Sequence, residues 1–387
     1  MRKLAAIILV ILTQLGLYCG ISANTSEEQD LGIPSSESYT IEEAVSRVPW
    51  DMIIVNNKLY LGGGDFGDNT GPVDVWCCDL TTKEWYISGT LNDEAIGKFI
   101  TINDRVYAPG FDAKSYNWSL GNYHWLENDQ WYTNNTLPDA VHNFDVTEFD
   151  GKLFFALGTG NNTVSPVKYT TDSGQTYIDV PFYKDGNNII TDNCFDYSRV
   201  YDFFIIDEQL YCMFLAVHNN SANTYDFYKY KDEAFYYISS HDQVGLKIKQ
   251  LKQEPIASKI TYKGQCYIAA GYLNRTTDFE SSEQLLPPQG EFAVDLLVDD
   301  DILYLLCFTH NGENYITRIY TYVYNSFFFP IVSFDSANFP TSFAKNGNTF
   351  YVGANFQGDD PSFAGSIYEV TIQDLTMQLI KDCLQGE

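Results

Sequence analysis

Basic residues are scarce in this 387-residue chain: 23 Lys and Arg stand against 51 Asp and Glu, a formal charge of −28. A surface of that sign repels phosphate, which excludes a protein held on nucleic acid by backbone contacts and disfavours docking on anionic lipid. Past the first residues, no apolar run approaches the roughly 18 needed to cross a bilayer as a helix. There is no Cys-x-x-Cys or Cys/His cluster, so no zinc site is expected. Gly-x-Ser-x-Gly, a phosphate-cradling glycine loop and a His-pair metal motif are also missing. Helical periodicity is lacking beyond a short stretch at Thr40–Val48. What is plentiful is aromatic: 29 Tyr and 26 Phe within a 16% aromatic share, residues that favour pleated, half-buried surfaces.

The chain opens Met1-Arg2-Lys3, continues with an apolar run from Leu4 to Leu17, and passes through small residues to Ser22-Ala23. A basic start, a short apolar core and a small-residue exit describe a secretory signal peptide over residues 1–23. The competing reading is a lipid anchor at Cys19, which the bulk of Tyr18 disfavours. Residues 24–49 read as an acidic linker, and the protein as secreted or cell-surface. Export permits disulfides. Cleavage after Ala23 leaves seven Cys, of which Cys212, Cys266 and Cys307 fall in apolar strand patterns as small buried hydrophobes, while Cys77, Cys78 and Cys383 are the candidates for disulfides. Asn-x-Ser/Thr sequons stand at Asn24, Asn117, Asn134, Asn161, Asn219 and Asn274.

A short unit then recurs: an apolar strand, a turn of Asn, Asp or Gly, and an apolar-aromatic pair opening a second strand. It reads MIIVNNKLYLGGG at 52–64, FITINDRVYAPG at 99–110 and VTEFDGKLFFALG at 146–158, and four further copies follow. The aromatic anchors are Tyr60, Tyr107, Phe154, Tyr211, Tyr267, Tyr304 and Phe350, spaced 47, 47, 57, 56, 37 and 46 residues apart. These are the lengths of a four-stranded propeller blade. Each unit but the degenerate fifth continues with a second hairpin, as in VDVWCCDLTTKEWYIS at 73–88. The expected fold is all-β: one seven-bladed β-propeller of four-stranded antiparallel blades over 50–387, with blades near 51–91, 94–137, 140–183, 198–240, 257–288, 291–334 and 339–382.

Two blades resemble known repeat types. Thr170-Thr171-Asp172-Ser173-Gly174-Gln175-Thr176-Tyr177 resembles the Asp-box hairpin of sialidases and many other propellers. Gly62-Gly63-Gly64 with Trp85 resembles a kelch repeat. Each resemblance covers a single blade and implies a fold, not a reaction. A sialidase site would need three arginines; with mature Arg only at Arg47, Arg105, Arg199, Arg275 and Arg318 no such triad is expected, and the Arg-Ile-Pro motif of that family is missing.

Propeller geometry predicts where a site would form. Loops entering the first strand and loops joining the second to the third share one face, and here the latter are the long ones. Lys98, His142, Arg199 and Lys259 fall at or just before the start of innermost strands, at the channel mouth, beside Asp51, Asn143, Asp145, Tyr201 and Asp202. Two readings stand. The cations form a collar for an anionic or polyhydroxyl ligand, with Trp118 as a stacking platform; or each ion pairs with a neighbouring blade and pins the channel. The expected function is binding of an extracellular glycan or protein by a monomer. The alternatives are a glycan hydrolase or lyase using His142 with Asp145 or Asp202, and a non-catalytic scaffold. No metal ligand set is recognised, although calcium could be held by the acidic loops at Asp65, Asp68, Asn69 and Asp359, Asp360.

Overall fold

In the computed structural model the described residues are 26–32, 48–64, 71–113, 120–159, 164–190, 197–218, 221–222, 225–247, 258–285, 290–312, 314–324, 327–336, 338–355, 365–373 and 377–378. The signal peptide, Cys19, Cys194, Cys383, Trp118, both acidic loops and the sequons at Asn24, Asn117, Asn161 and Asn219 lie outside them.

The fold grows from one local device. In six of the seven repeats the first hairpin turns on two residues with φ positive at both positions: Asn56-Asn57, Asn103-Asp104, Asp150-Gly151, Asp207-Glu208, Lys263-Gly264 and Asp300-Asp301. That conformation suits Asn, Asp and Gly, and its twist matches the flanking strands. The strands so joined pair antiparallel into four-stranded meanders. Blade 1 is Asp51–Val55, Lys58–Gly62, Val73–Asp79 and Glu84–Leu91, and blade 2 is Ile100–Ile102, Arg105–Pro109, Leu120–Glu127 and Gln130–Pro138. Blade 5 (Ser258–Tyr262, Gln265–Ala270, Tyr272–Thr276, Glu283–Leu285) and blade 6 (Phe292–Asp299, Ile302–His310, Tyr315–Tyr324, Phe327–Ser336) are likewise separate sheets. Blade 3 (His142–Phe149, Lys152–Gly158, Val167–Thr170, Ile178–Asp179) and blade 4 (Tyr197–Ile206, Gln209–His218, Asp226–Lys231, Ala234–Ser240) are bridged at Gly158 and Arg199 into one eleven-stranded sheet. The fifth blade, degenerate in sequence, is complete. It is short because Gly271 alone joins its second and third strands.

Blade 7 departs from expectation. Its first three strands are Pro340–Asn346, Thr349–Ala354 and Ile367–Thr371, but its fourth is Ser26–Gly32, from the stretch read as a linker. The two ends of the chain therefore close the ring together, and Trp85 of blade 1 fastens the closure by donating Nε1–H to the Leu31 carbonyl at 3.1 Å. The seventh aromatic anchor also shifts by one. Tyr351, not Phe350, takes the register position of Tyr60 (opposite Ala344, as Tyr60 is opposite Ile53).

That register matters because the anchors fill the spaces between blades. Tyr60, Phe154, Tyr211, Tyr267, Tyr304 and Tyr351 each pack on the blade that follows, and Tyr107 leans the same way. Seven apolar clusters lie between consecutive blades, and the one joining Tyr351 and Ile367 to Leu59 and Leu61 closes blade 7 on blade 1. Full burial of each such ring contributes about 1.5–3 kcal/mol.

The cysteines follow the same packing. Cys77 and Cys78 point to opposite faces of blade 1, into the clusters shared with blades 2 and 7 respectively. With Cys212, Cys266 and Cys307 they are buried thiols, and no disulfide occurs among the described residues. Burial pushes the Cys78 thiol up to about 11 and Cys266 to about 12. Native protein should therefore leave these five thiols unmodified by Ellman's reagent at pH 8, and denaturant should release all five; rapid native labelling of any one would contradict the packing.

Candidate functional site

The face where inner strands begin carries a belt of backbone pairing. Gly64 bridges Ala95, Ala95 bridges Phe111, and Phe111 bridges His142; His142 then pairs with Gly158, and Gly158 with Arg199. The belt runs from blade 1 to blade 4. Gly64 is required in it: φ is +107°, and a Cβ would stand 2.2 Å from the Glu94 carbonyl oxygen.

Just inside the belt, inner strands present a ring of equivalent positions. Counting back from the hairpin turns, Asp51, Lys98, Asp145, Asp202, Ser258, Asp295 and Ser342 occupy the same place in blades 1 to 7. Four of these side chains stitch their blade to the next by accepting a backbone N–H. Asp51 accepts from Phe99 at 2.6 Å, Asp145 from Phe203 at 2.8 Å, Ser258 from Leu296 at 3.0 Å and Asp295 from Phe343 at 2.9 Å. Asp51 and Asp145 are thus pins between blades.

Lys98 and Lys259 do not form a collar. Lys98 Nζ reaches past blade 3 to Asp202 Oδ1 at 2.7 Å and lies 3.8 Å from Asp145. Lys259 meets Asp202 at 3.0 Å and pairs still more closely with Asp145 Oδ2. Two ammoniums and two carboxylates from four blades neutralise one another; Asp202 is only 1% exposed and Lys98 8%. Burial alone would lower the Lys98 ammonium, but Asp145 and Asp202 overcome it and raise its pKa. Burial likewise opposes ionisation of Asp202, and Lys259 and Lys98 reverse that, holding it below the usual carboxylate range. For these groups the pinning arrangement is the one observed.

The remaining predicted residues behave differently. His142 and Arg199 occupy equivalent positions in blades 3 and 4, each seven residues before the end of its strand (Phe149, Ile206). Arg199 donates to Tyr201 Oη at 3.2 Å, and its Nη2 lies 3.4 Å from His142 Nε2. The guanidinium sits over Tyr197 at 5.0 Å and Phe144 at 5.7 Å, and the imidazole stacks on Phe144 at 5.1 Å. The carboxylate beside His142 is Asp112, in contact with Nδ1, rather than Asp145 or Asp202. Asp112 came unannounced from a loop of blade 2. This group is reachable from solvent, with the His142 side chain 18% and Asp112 17% exposed, much as the Lys259 side chain is at 19%. Asn143 is buried, its amide donating to the Asn122 carbonyl at 3.2 Å, and serves blade packing. Gly158→Ala would place a methyl 2.6 Å from the His142 ring and should displace it.

A second polar group went unnoticed in the sequence. Asp93 and His124 are wholly buried between blades 1 and 2, with His124 Nε2 2.5 Å from Asp93 Oδ2 and Nδ1 2.8 Å from Thr133 Oγ1. Among the described residues, no three His, Cys, Asp or Glu side chains are grouped to hold a metal ion. Two other sequence features settle into structural roles. Asp172 caps its own hairpin, accepting from Thr176 and Gln175, which holds its carboxyl down at about 2. Asn274 is buried on a strand, its amide closed on the Lys247 backbone at 2.9 Å and 3.1 Å, and no glycan can attach there in the folded protein.

No protein-family model matches the chain, and no curated protein matches it in sequence. Solved structures do match in shape. Virginiamycin B lyase from Staphylococcus aureus superposes with a TM-score of 0.52 at 10% identity, over 90% of this chain and 99% of that one. A chain of the Mitotic Checkpoint Complex gives 0.51 at 8% identity, over 91% and 93% respectively. At such identities the likeness is one of fold: this chain is a β-propeller.

Proposed function

We propose that this is an exported β-propeller that captures a ligand through an anionic group, as in an acidic glycan or another organic acid, at the channel mouth beside blades 2, 3 and 4. The reading rests on one observation: Arg199 and His142 converge at the mouth, partly exposed and faced by Tyr197, Tyr201 and Phe144. A guanidinium fixed by aromatic faces is preorganised for a carboxylate, so little side-chain entropy is lost on binding. Arg199→Gln should weaken binding of glucuronate or its oligomers at least tenfold in calorimetric titration, with the circular dichroism spectrum unchanged. Equal affinity in wild type and variant would reject the site. Export is tested separately, by N-terminal sequencing of the mature chain, which should begin after Ala23.

A catalytic reading is favoured by the Asp112–His142 contact. A carboxylate on Nδ1 orients the ring and leaves Nε2 toward Arg199, where a bound acid would lie, the arrangement of a general base. In that reading Asp112 takes the part foreseen for Asp145 or Asp202. His142→Asn would abolish turnover while retaining binding; loss of binding with no turnover in wild type leaves a binding protein. A scaffold for a protein partner predicts that no acid binds at all.

A further inference from the structure

The positions of His142 and Arg199 have counterparts on the other side of the ring. Inner strands of blades 3, 4, 6 and 7 share one irregularity, a register shift just before the stitching residue, between Asn143 and Asp145, Val200 and Asp202, Ala293 and Asp295, and Pro340 and Ser342. Each bulge re-aims the residues ahead of it in the same way. Seven positions before the end of the strand, blades 3 and 4 carry His142 and Arg199, whereas blades 6 and 7 carry Phe292 and Phe339 (strand ends Asp299 and Asn346). One mouth therefore has an arginine–histidine side and an aromatic side.

The aromatic side is built as a stack. Phe308 is buried, with Phe292 on it at 5.2 Å and 28° and Phe339 at 5.5 Å and 30°. Tyr315 braces the group from Phe308 at 5.6 Å and Phe339 at 5.8 Å. Phe292 and Phe339 are half-buried, so each keeps part of a ring at the surface while the stack holds it still. Rigid rings of this kind bind flat apolar groups at small entropic cost.

We propose that the ligand is an amphipathic organic acid: a carboxylate held at Arg199 and His142, joined to a planar apolar body that rests on Phe292 and Phe339. This rests on the site proposed above and narrows its ligand class. The geometry accounts for orientation, since Arg199 with His142 beside it stands at the bulged starts of blades 3 and 4 and the two phenylalanines at those of blades 6 and 7. The rings account for selectivity against sugar acids, whose hydroxyl-covered bodies would desolvate against Phe without a hydrogen-bonding partner.

The test uses the full folded protein and four probes: 3-phenylpropanoate, 5-phenylpentanoate, the neutral 3-phenylpropanol and glucuronate. One of the two phenyl acids should bind at least tenfold more tightly than both the alcohol and glucuronate, the preferred chain length reporting the span of the mouth. Phe292→Leu and Phe339→Leu keep the apolar volume that packs against blades 6 and 7 but remove the flat face. Each should weaken the preferred phenyl acid at least tenfold and leave glucuronate unaffected. Arg199→Gln should weaken both acids. Glucuronate binding as well as the phenyl acids, with neither Leu variant having any effect, would overturn the amphipathic class and leave the Arg199 site standing. No acid binding at all, in wild type or variants, would overturn both. Binding of the alcohol as tightly as the acids would show an apolar site and overturn the role given to Arg199.

Discussion

Lys98→Met should lower the stability of this propeller by about 3 kcal/mol, and Lys98→Met with Asp202→Asn should recover most of the loss. The methionine fills the volume of the lysine stem but leaves Asp202 buried at 1% exposure with Lys259 alone at 3.0 Å. Removing one partner of a buried ion pair costs about 3–5 kcal/mol because the other charge is stranded. Lys259 retains part of the compensation, which places the expectation at the low end. Neutralising Asp202 removes the stranded charge, so the double variant should be the more stable one. The coupling is read from chemical denaturation of all four members of the cycle, together with a fall in melting temperature of about 4 °C for the single variant. If the two substitutions simply add, the knot carries no coupling and the lysines are merely close.

The sign of the pH dependence follows from the two shifts. Asp202 has its pKa lowered on folding, so its stabilisation is present above the unfolded value of 3.8 and is lost as pH falls through the folded value. Lys98 has its pKa raised, so its contribution is present below 10.5 and is lost as pH rises through the folded value. The knot thus contributes fully between about pH 4 and pH 10. In Lys98→Met the stranded carboxylate binds a proton more readily, so the gap between variant and wild type should narrow toward acid pH. A gap that widens there would contradict the assignment.

The fold was legible because its signal is local. Two-residue Asn, Asp or Gly turns followed by an aromatic write themselves into sequence wherever they occur, and each marks one blade. Two features were not. The acidic stretch Ser26–Gly32 becomes a strand only because Ile367–Thr371 offers it an edge at the far end of the chain, a pairing that leaves no local trace. The anchor of blade 7 slipped by one because Phe350 and Tyr351 are both aromatic, and only register decides which faces blade 1.

The site was half legible for a related reason. Placing Lys98, His142, Arg199 and Lys259 at the mouth needed only strand starts. Whether each turns inward or outward depends on the bulges at 143/145 and 200/202, which swing Asp145 and Asp202 into the knot and leave His142 and Arg199 above it. An extra residue in a ladder has no composition. Asp112 and Asp93 were invisible for a plainer cause: both sit in loops, where no periodicity singles out a position.

Asp93→Ala should be the second large loss, about 3–5 kcal/mol, while Asp93→Asn should cost less than half of that. Asp93 is wholly buried and satisfies two groups at once, His124 Nε2 and the Asn122 amide at 3.0 Å and 3.1 Å. Alanine strands both donors in a space that Gly110 keeps closed: a Cβ at that glycine would stand 2.3 Å from Asp93 Oδ1. Asparagine has the same shape. Its oxygen can accept from Asn122, and its amide can donate to His124 Nε2 if the ring moves its proton to Nδ1, which then donates to Thr133 Oγ1. The two variants therefore separate shape from charge. A mild Asn variant with a severe Ala variant means that neutral hydrogen bonding holds blades 1 and 2 together here. Equal and severe losses mean that an imidazolium–carboxylate pair does so.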